Sequence, residues 1–105
     1  MQYKGISANG GIASGKLCIV NDPIQFDHCT NEHIVLLNKV KPTTQLAKTV
    51  KAILAIHGGI TSHAAITARE NNKPAIVGLP EEMLEKVKDG DIVNVNTVEG
   101  VVTKL

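Results

Sequence analysis

The chain has 105 residues, enough for one domain (1–105) with a modest core. Hydrophobic residues make up 43%, which fits a folded protein, and 11 basic against 10 acidic residues leave a net charge of +1, giving no electrostatic reason for a nucleic-acid or membrane partner. Aromatics are 2% (Tyr3 and Phe26), so the stacking platforms of a single-strand binder are missing and the core must be built from Ile, Val, Leu and Ala.

Residues 3–20 read as short β-type runs around a glycine-rich turn. Gly10-Gly11-Ile12-Ala13-Ser14-Gly15-Lys16 nearly spells a nucleotide-binding P-loop. The next residue should be Ser or Thr opening a helix, but Leu17-Cys18-Ile19-Val20 looks like a strand, so the P-loop is rejected. No long apolar segment marks a signal peptide or a membrane span. Cys18 and Cys29 form no CxxC pair and read as reduced thiols of a cytoplasmic protein. Asn21 to His33 is polar and reads as a loop. Asp27, His28, Cys29, Glu32 and His33 crowd there, but their spacing fits no standard metal site, and a solvated loop is the better reading.

Ile34 to Leu37 is a buried strand. After a break around Pro42, a short helix is expected from about Thr44 to Val50, with Leu46, Ala47 and Val50 on one face. Ala52 to Ile56 is a second buried strand. It delivers the chain into Gly58-Gly59-Ile60-Thr61-Ser62-His63-Ala64-Ala65-Ile66-Thr67-Ala68-Arg69-Glu70, which reads as loop and then helix. The glycines permit a tight turn, Thr61 or Ser62 can cap the helix, and His63 falls in its first turn. Asn71, Asn72 and Pro74 end the helix. Ala75 to Val77 is a strand, Glu81 to Val87 a helix with Met83, Leu84 and Val87 inward, Lys88 to Asp91 a turn, Ile92 to Asn96 a strand, and Val101 to Lys104 the last strand after Glu99-Gly100. The pattern supports one α/β or α+β domain.

A helix start presents unpaired N–H groups and a partial positive charge, and anions bind there. A histidine among those donors can attack a phosphoryl group, and the same partial charge favours the neutral, nucleophilic ring.

Gly-Gly-x-Thr-Ser-His-Ala-Ala-Ile-x-Ala-Arg-Glu followed by Pro-Ala-Ile-Val-Gly closely resembles the phosphohistidine (mobile, swivelling) domain of the phosphoenolpyruvate-utilising enzymes, which include phosphoenolpyruvate synthase, pyruvate phosphate dikinase and enzyme I of the sugar phosphotransferase system. The resemblance covers about residues 5–104. It is sharp over 58–78 and loose over 21–50, where Thr43-Thr44-Gln45 lacks the acidic residues the family often carries after the proline. It implies the swivelling β/β/α fold, an α/β domain of short mixed strands with a few outer helices. It also implies that His63 carries phosphate on Nε2, with Gly59, Thr61, Ser62 and Ala64 about the phosphoryl group. In some relatives the residue matching Thr61 is a target of regulatory phosphorylation. Ala13-Ser14 and the glycines around them resemble the family's structural lead-in turn.

The resemblance also implies partners: a nucleotide-binding or carrier-protein-binding part, and a barrel that binds phosphoenolpyruvate or pyruvate with Mg²⁺. Neither fits in 105 residues, so the Mg²⁺ belongs to partner sites and no cofactor is expected on this chain. The chain is then a free-standing phosphocarrier or an excised domain, and its start and end favour the former. A regulatory or interaction module that keeps the fold is the alternative, and a metal-binding protein using His28, Cys29, His33 or His57 is a third. Arg69, six residues and almost two turns beyond His63, reads as a surface or interdomain ion-pair partner. His57 reads as an ordinary loop histidine.

Overall fold

The two apolar runs at the middle of the sequence lie at the middle of the fold. A computed structural model describes residues 1–105, with eight strands joined in one mixed sheet and short helices on its outside. The strands are β1 (Gln2–Lys4), β2 (Ile6–Asn9), β3 (Ile12–Val20), β4 (His33–Asn38), β5 (Ala52–Ile56), β6 (Ala75–Leu79), β7 (Ile92–Asn96) and β8 (Val101–Lys104). The helices are α1 (Thr44–Thr49) and α2 (His63–Glu70), with 3₁₀ turns at Pro23–His28 and Glu81–Glu85.

The sheet runs β1-β8-β7-β3-β4-β5-β6-β2. Its centre, β3 to β6, is parallel, and the flanking pairs are antiparallel. Parallel strands covered on both faces need apolar residues at every position, not alternate ones. Ile34-Val35-Leu36-Leu37 and Ala52-Ile53-Leu54-Ala55-Ile56 are buried throughout. Successive side chains still point to opposite faces. Val35, Leu37, Ile53 and Ala55 pack under the helices with Ala64, Ala65 and Ala68 of α2 and Leu46 and Ala47 of α1. Ile34, Leu36, Leu54 and Ile56 pack on the other side with Ile76, Met83, Val93, Val95 and Val102.

β1 and β2 are consecutive in the chain yet occupy opposite edges of the sheet, so the sheet curls until its edges meet at the single residue between them. Gly5 N donates to Gly100 O at 2.9 Å, just ahead of β8. A Cβ on Gly5 would lie 2.6 Å from Val77 O of β6 and 2.6 Å from Ile76 Cγ2. The absence of a side chain at residue 5 is what lets the two edges approach.

Four local expectations need correction. The glycine-rich turn expected around Ala13-Ser14 is strand: Ile12 to Lys16 pair antiparallel with β7, in keeping with the rejection of the P-loop. The polar stretch 21–33 contains an ordered 3₁₀ turn, because Asp22 Oδ1 accepts from Ile24 N at 3.0 Å and Gln25 Oε1 accepts from Asp22 N at 3.0 Å. That turn folds back on β3 and brings Cys29 beside Cys18, with Cα atoms 5.9 Å apart and a disulfide between them, where reduced thiols were expected. The helix expected over 81–87 is a 3₁₀ turn over Glu81–Glu85 that buries Met83.

Replacing Gly5 by alanine forces a methyl group against backbone that cannot move without opening the sheet. We expect Gly5→Ala to lower stability by about 1–3 kcal/mol, read as a lower urea midpoint at unchanged slope. An unaltered midpoint would show that the edges do not depend on this contact.

Candidate functional site

β5 ends at Ile56, and the next two residues reverse the chain. His57 and Gly58 both have positive φ, 66° and 83°. Gly78, which follows the start of β6, has φ 67°, and its N donates to His57 O at 2.8 Å. The β5–β6 register shifts between Leu54 and Ile56, as at a bulge. Such irregularities re-aim side chains at the end of a strand, and here they turn the chain into the loop ahead of α2.

The loop is held at three points. Ser62 N donates to Gly59 O at 3.0 Å. Ser62 Oγ accepts from Ala65 N at 3.4 Å, which makes Ser62, and not Thr61, the helix cap. Arg69 reaches back along α2: Nη2 donates to Ile60 O at 2.6 Å and Nη1 to Ala8 O at 3.3 Å. Arg69 is therefore a brace within this domain, and no carboxylate of the chain pairs with it, so the surface ion pair expected of it does not form.

His63 is the first residue of α2 and is exposed. Neither its backbone N–H nor that of Ala64 donates to any protein acceptor. These are the free donors that a helix start leaves over once its cap is satisfied. Thr61 is exposed beside them, Ser62 is half-buried, and Ala64 is buried against the core. Gly58 needs its glycine for its φ. Gly59 does not: its φ is ordinary and a Cβ there would meet nothing within 4 Å. The space over Gly59 is open.

A cleft of about 260 Å³ opens beside this loop, and its lining includes Lys39, Lys41, His57, Ser62 and His63. It lies at the carboxyl ends of β4 and β5, the place where open parallel sheets bind ligands. Glu81, in the first turn after β6, bridges two residues at its mouth: Oε1 is 3.4 Å from Lys39 Nζ and Oε2 is 3.4 Å from His57 Nε2. The Lys39 hydrogen bond and charge, and then those of His57, hold the Glu81 carboxyl below its ordinary value. Sequence reasoning placed His63 and its loop. It missed Lys39 and Glu81 and dismissed His57, because only the sheet brings these three together. The one local signal was a histidine between a buried strand and two glycines.

The other candidates do not assemble. Cys29 is tied to Cys18, and His33 Nδ1 accepts from Thr30 N at 2.9 Å. No group of three His, Cys, Asp or Glu side chains comes together anywhere in the chain. No helix is long and apolar enough to cross a membrane.

Residues 30–100 match the family model described as PEP-utilising enzyme, mobile domain. The chain is 38% identical over 100 residues to the uncharacterized phosphotransferase YvkC of Bacillus subtilis, covering 94% of this chain and 12% of that protein. It is 36% identical over 102 residues to a probable phosphoenolpyruvate synthase of Pyrococcus horikoshii, covering 96% of this chain and 12% of that one. The chain thus spans only about an eighth of these relatives' length. Among solved structures, Enzyme I (nEIt) superposes with a TM-score of 0.61 at 33% identity over 75% of this chain and 33% of that one. A UPF0107 protein superposes with a TM-score of 0.78 at 19% identity, over 100% of this chain and 99% of that one, a likeness of fold alone. With 71 of its 105 residues inside the family model (30 to 100 inclusive) and a helix-start histidine in the matching loop, the chain belongs to the mobile-domain family of the PEP-utilising enzymes.

Proposed function

We propose that this chain is a phosphoryl carrier: His63 accepts a phosphoryl group at one partner site and gives it up at another. The observation that carries the reading is an exposed histidine at the start of α2 whose own N–H and that of Ala64 are free to donate. On loading, the lone pair of Nε2 forms a bond to phosphorus, the bond from phosphorus to the donor's leaving group breaks, and the electron pair leaves with that group; on unloading, a lone pair of the acceptor forms the bond to phosphorus, the P–Nε2 bond breaks, and its electron pair returns to the ring nitrogen. Little covalent chemistry is asked of the protein beyond positioning and charge. Thr61, Ser62 and Gly59 stand where they can border the phosphoryl group. Exposed Ile60 and Ile66 flank the histidine and offer apolar surface to a docking partner.

The partners in this reading are a nucleotide-binding or carrier-binding domain and a phosphoenolpyruvate- or pyruvate-binding domain, on the same polypeptide or on others. Mg²⁺, where the transfer uses it, is held by those domains. The compartment in this reading is the cytoplasm. A regulatory module that keeps the fold without the chemistry is the second reading, and the free N–H groups beside His63 favour the first.

Incubation with the cognate donor domain should label one residue, His63, with acid-labile and alkali-stable phosphate located by mass spectrometry. His63→Ala should abolish it, and full labelling of that variant would defeat the carrier reading. The purified chain alone should show no steady-state conversion of nucleotide, phosphoenolpyruvate or pyruvate.

Gly59→Ala separates folding from function. Its Cβ meets open space, so thermal stability should hold or rise by up to about 1 kcal/mol. The methyl group would stand where a phosphoryl donor approaches, so labelling of His63 should slow. Equal labelling rates would show that the space over Gly59 is not on the donor's path.

A further inference from the structure

The titratable side chains lining the cleft beside His63 are all basic: Lys39, Lys41, His57 and His63 itself. Two of them are held in a conformation that side chains avoid. Only Lys39, His57 and Asn72 combine a positive φ with a side chain, and Lys39 and His57 stand immediately after neighbouring parallel strands, at the mouth of the same cleft. Strained residues persist where surrounding structure or function demands them. Glu81 spans the pair, one carboxylate oxygen to each, with the Lys39, Glu81 and His57 side chains 64%, 57% and 52% exposed. Exposed pairs of this kind add little to folding, so stability does not account for the arrangement. A carboxylate that gives one oxygen to each of two donors occupies them as two phosphoryl oxygens would.

We propose that Lys39 and His57 are a two-point clamp for the phosphoryl group carried at His63, and that Glu81 is the counter-ion the clamp exchanges for it. The clamp rests on the carrier reading and deepens it by assigning the phosphoryl oxygens to particular side chains. A phosphoryl group brings a charge of about −1.5 to −2, more than Glu81 supplies, so the two donors move to it when His63 is loaded and return when it leaves. Lys41 adds to the positive potential of the cleft without sharing the carboxylate.

The clamp is tested without any donor protein. Inorganic phosphate is titrated into the His63→Ala chain at low ionic strength and followed by the amide signals of residues 57–64. Saturable shifts are expected. In the same background Lys39→Met and His57→Asn should each weaken phosphate binding about tenfold, the loss of one charge-assisted hydrogen bond. Glu81→Gln should tighten it roughly two- to fivefold by freeing both donors. Lys39→Gly and His57→Gly keep the left-handed turn without its steric cost, so their unfolding midpoints should not fall while phosphate binding weakens as in the other variants. Absence of saturable shifts, unchanged affinity in the Lys39 and His57 variants, or weaker binding in Glu81→Gln would each overturn the clamp.

Loading is measured separately with phosphoramidate on the chain that retains His63. There the Nε2 lone pair bonds to phosphorus, the P–N bond of the reagent breaks, and its electron pair leaves with ammonia. Labelling of His63 at the same rate in Lys39→Met and the parent chain would sink the clamp and leave the carrier standing. Failure to label the parent chain, with the phosphate titration as expected, would sink the carrier chemistry and leave an anion site.

Discussion

The placement of this protein's polar site follows from β5, a strand buried along its whole length. Ala52 to Ile56 are buried in turn against the helices and against the inside of the curled sheet. A strand of that kind can carry no chemistry along its length, because any charged side chain would be buried without a partner. The chemistry must collect where the strand stops. At Ile56 the chain breaks out through two left-handed residues, and within seven residues it presents His57, Thr61, Ser62 and His63 to solvent. β4, its neighbour, does the same at Lys39. The parallel register puts both exits at one end of the sheet, so their side chains share a cleft.

The fit of α2 depends on the same strand. The helix reaches the sheet through Ala64, Ala65 and Ala68, whose short side chains let its backbone lie close over β2, β5 and β6. A helix carried on alanines has little apolar area of its own to anchor it. The Ser62 cap and the Arg69 brace therefore matter to its first turn. Arg69 ties the loop to the helix at Ile60 and to β2 at Ala8, so the histidine is held from both sides of the turn.

What could be read from the sequence was what is local. The unbroken apolar runs 34–37 and 52–56 announce buried strands, and Gly-Gly, a cap at Thr61 or Ser62, and Pro74 announce the boundaries of α2. Leu17, in place of a hydroxyl residue, ruled out the P-loop, and β3 runs through it. What could not be read was long-range. Nothing in Gln2 to Asn9 says that two strands separated by one glycine lie at opposite edges of the sheet. Nothing in the spacing of Cys18 and Cys29 says that the 3₁₀ turn folds Cys29 onto β3. Distance along the helix separates Arg69 from His63, but its contacts run to carbonyls 9 and 61 positions away in sequence.

His57, Lys39 and Glu81 show most plainly where local reading ends. Each alone is an ordinary surface residue, and Lys39 and Glu81 are 42 positions apart. They meet because β4, β5 and β6 are adjacent and parallel, so that the first residues beyond β4 and β5, and Glu81 just beyond β6, stand side by side. In the proposed carrier role, the cargo has to be held firmly enough to be moved and loosely enough to be given up. Free N–H groups at a helix start cannot change their strength from one state to the other. Two flexible basic side chains can, provided a carboxylate is at hand to take them back. In the proposed clamp Glu81 supplies that exchange through exposed pairs that add little to folding.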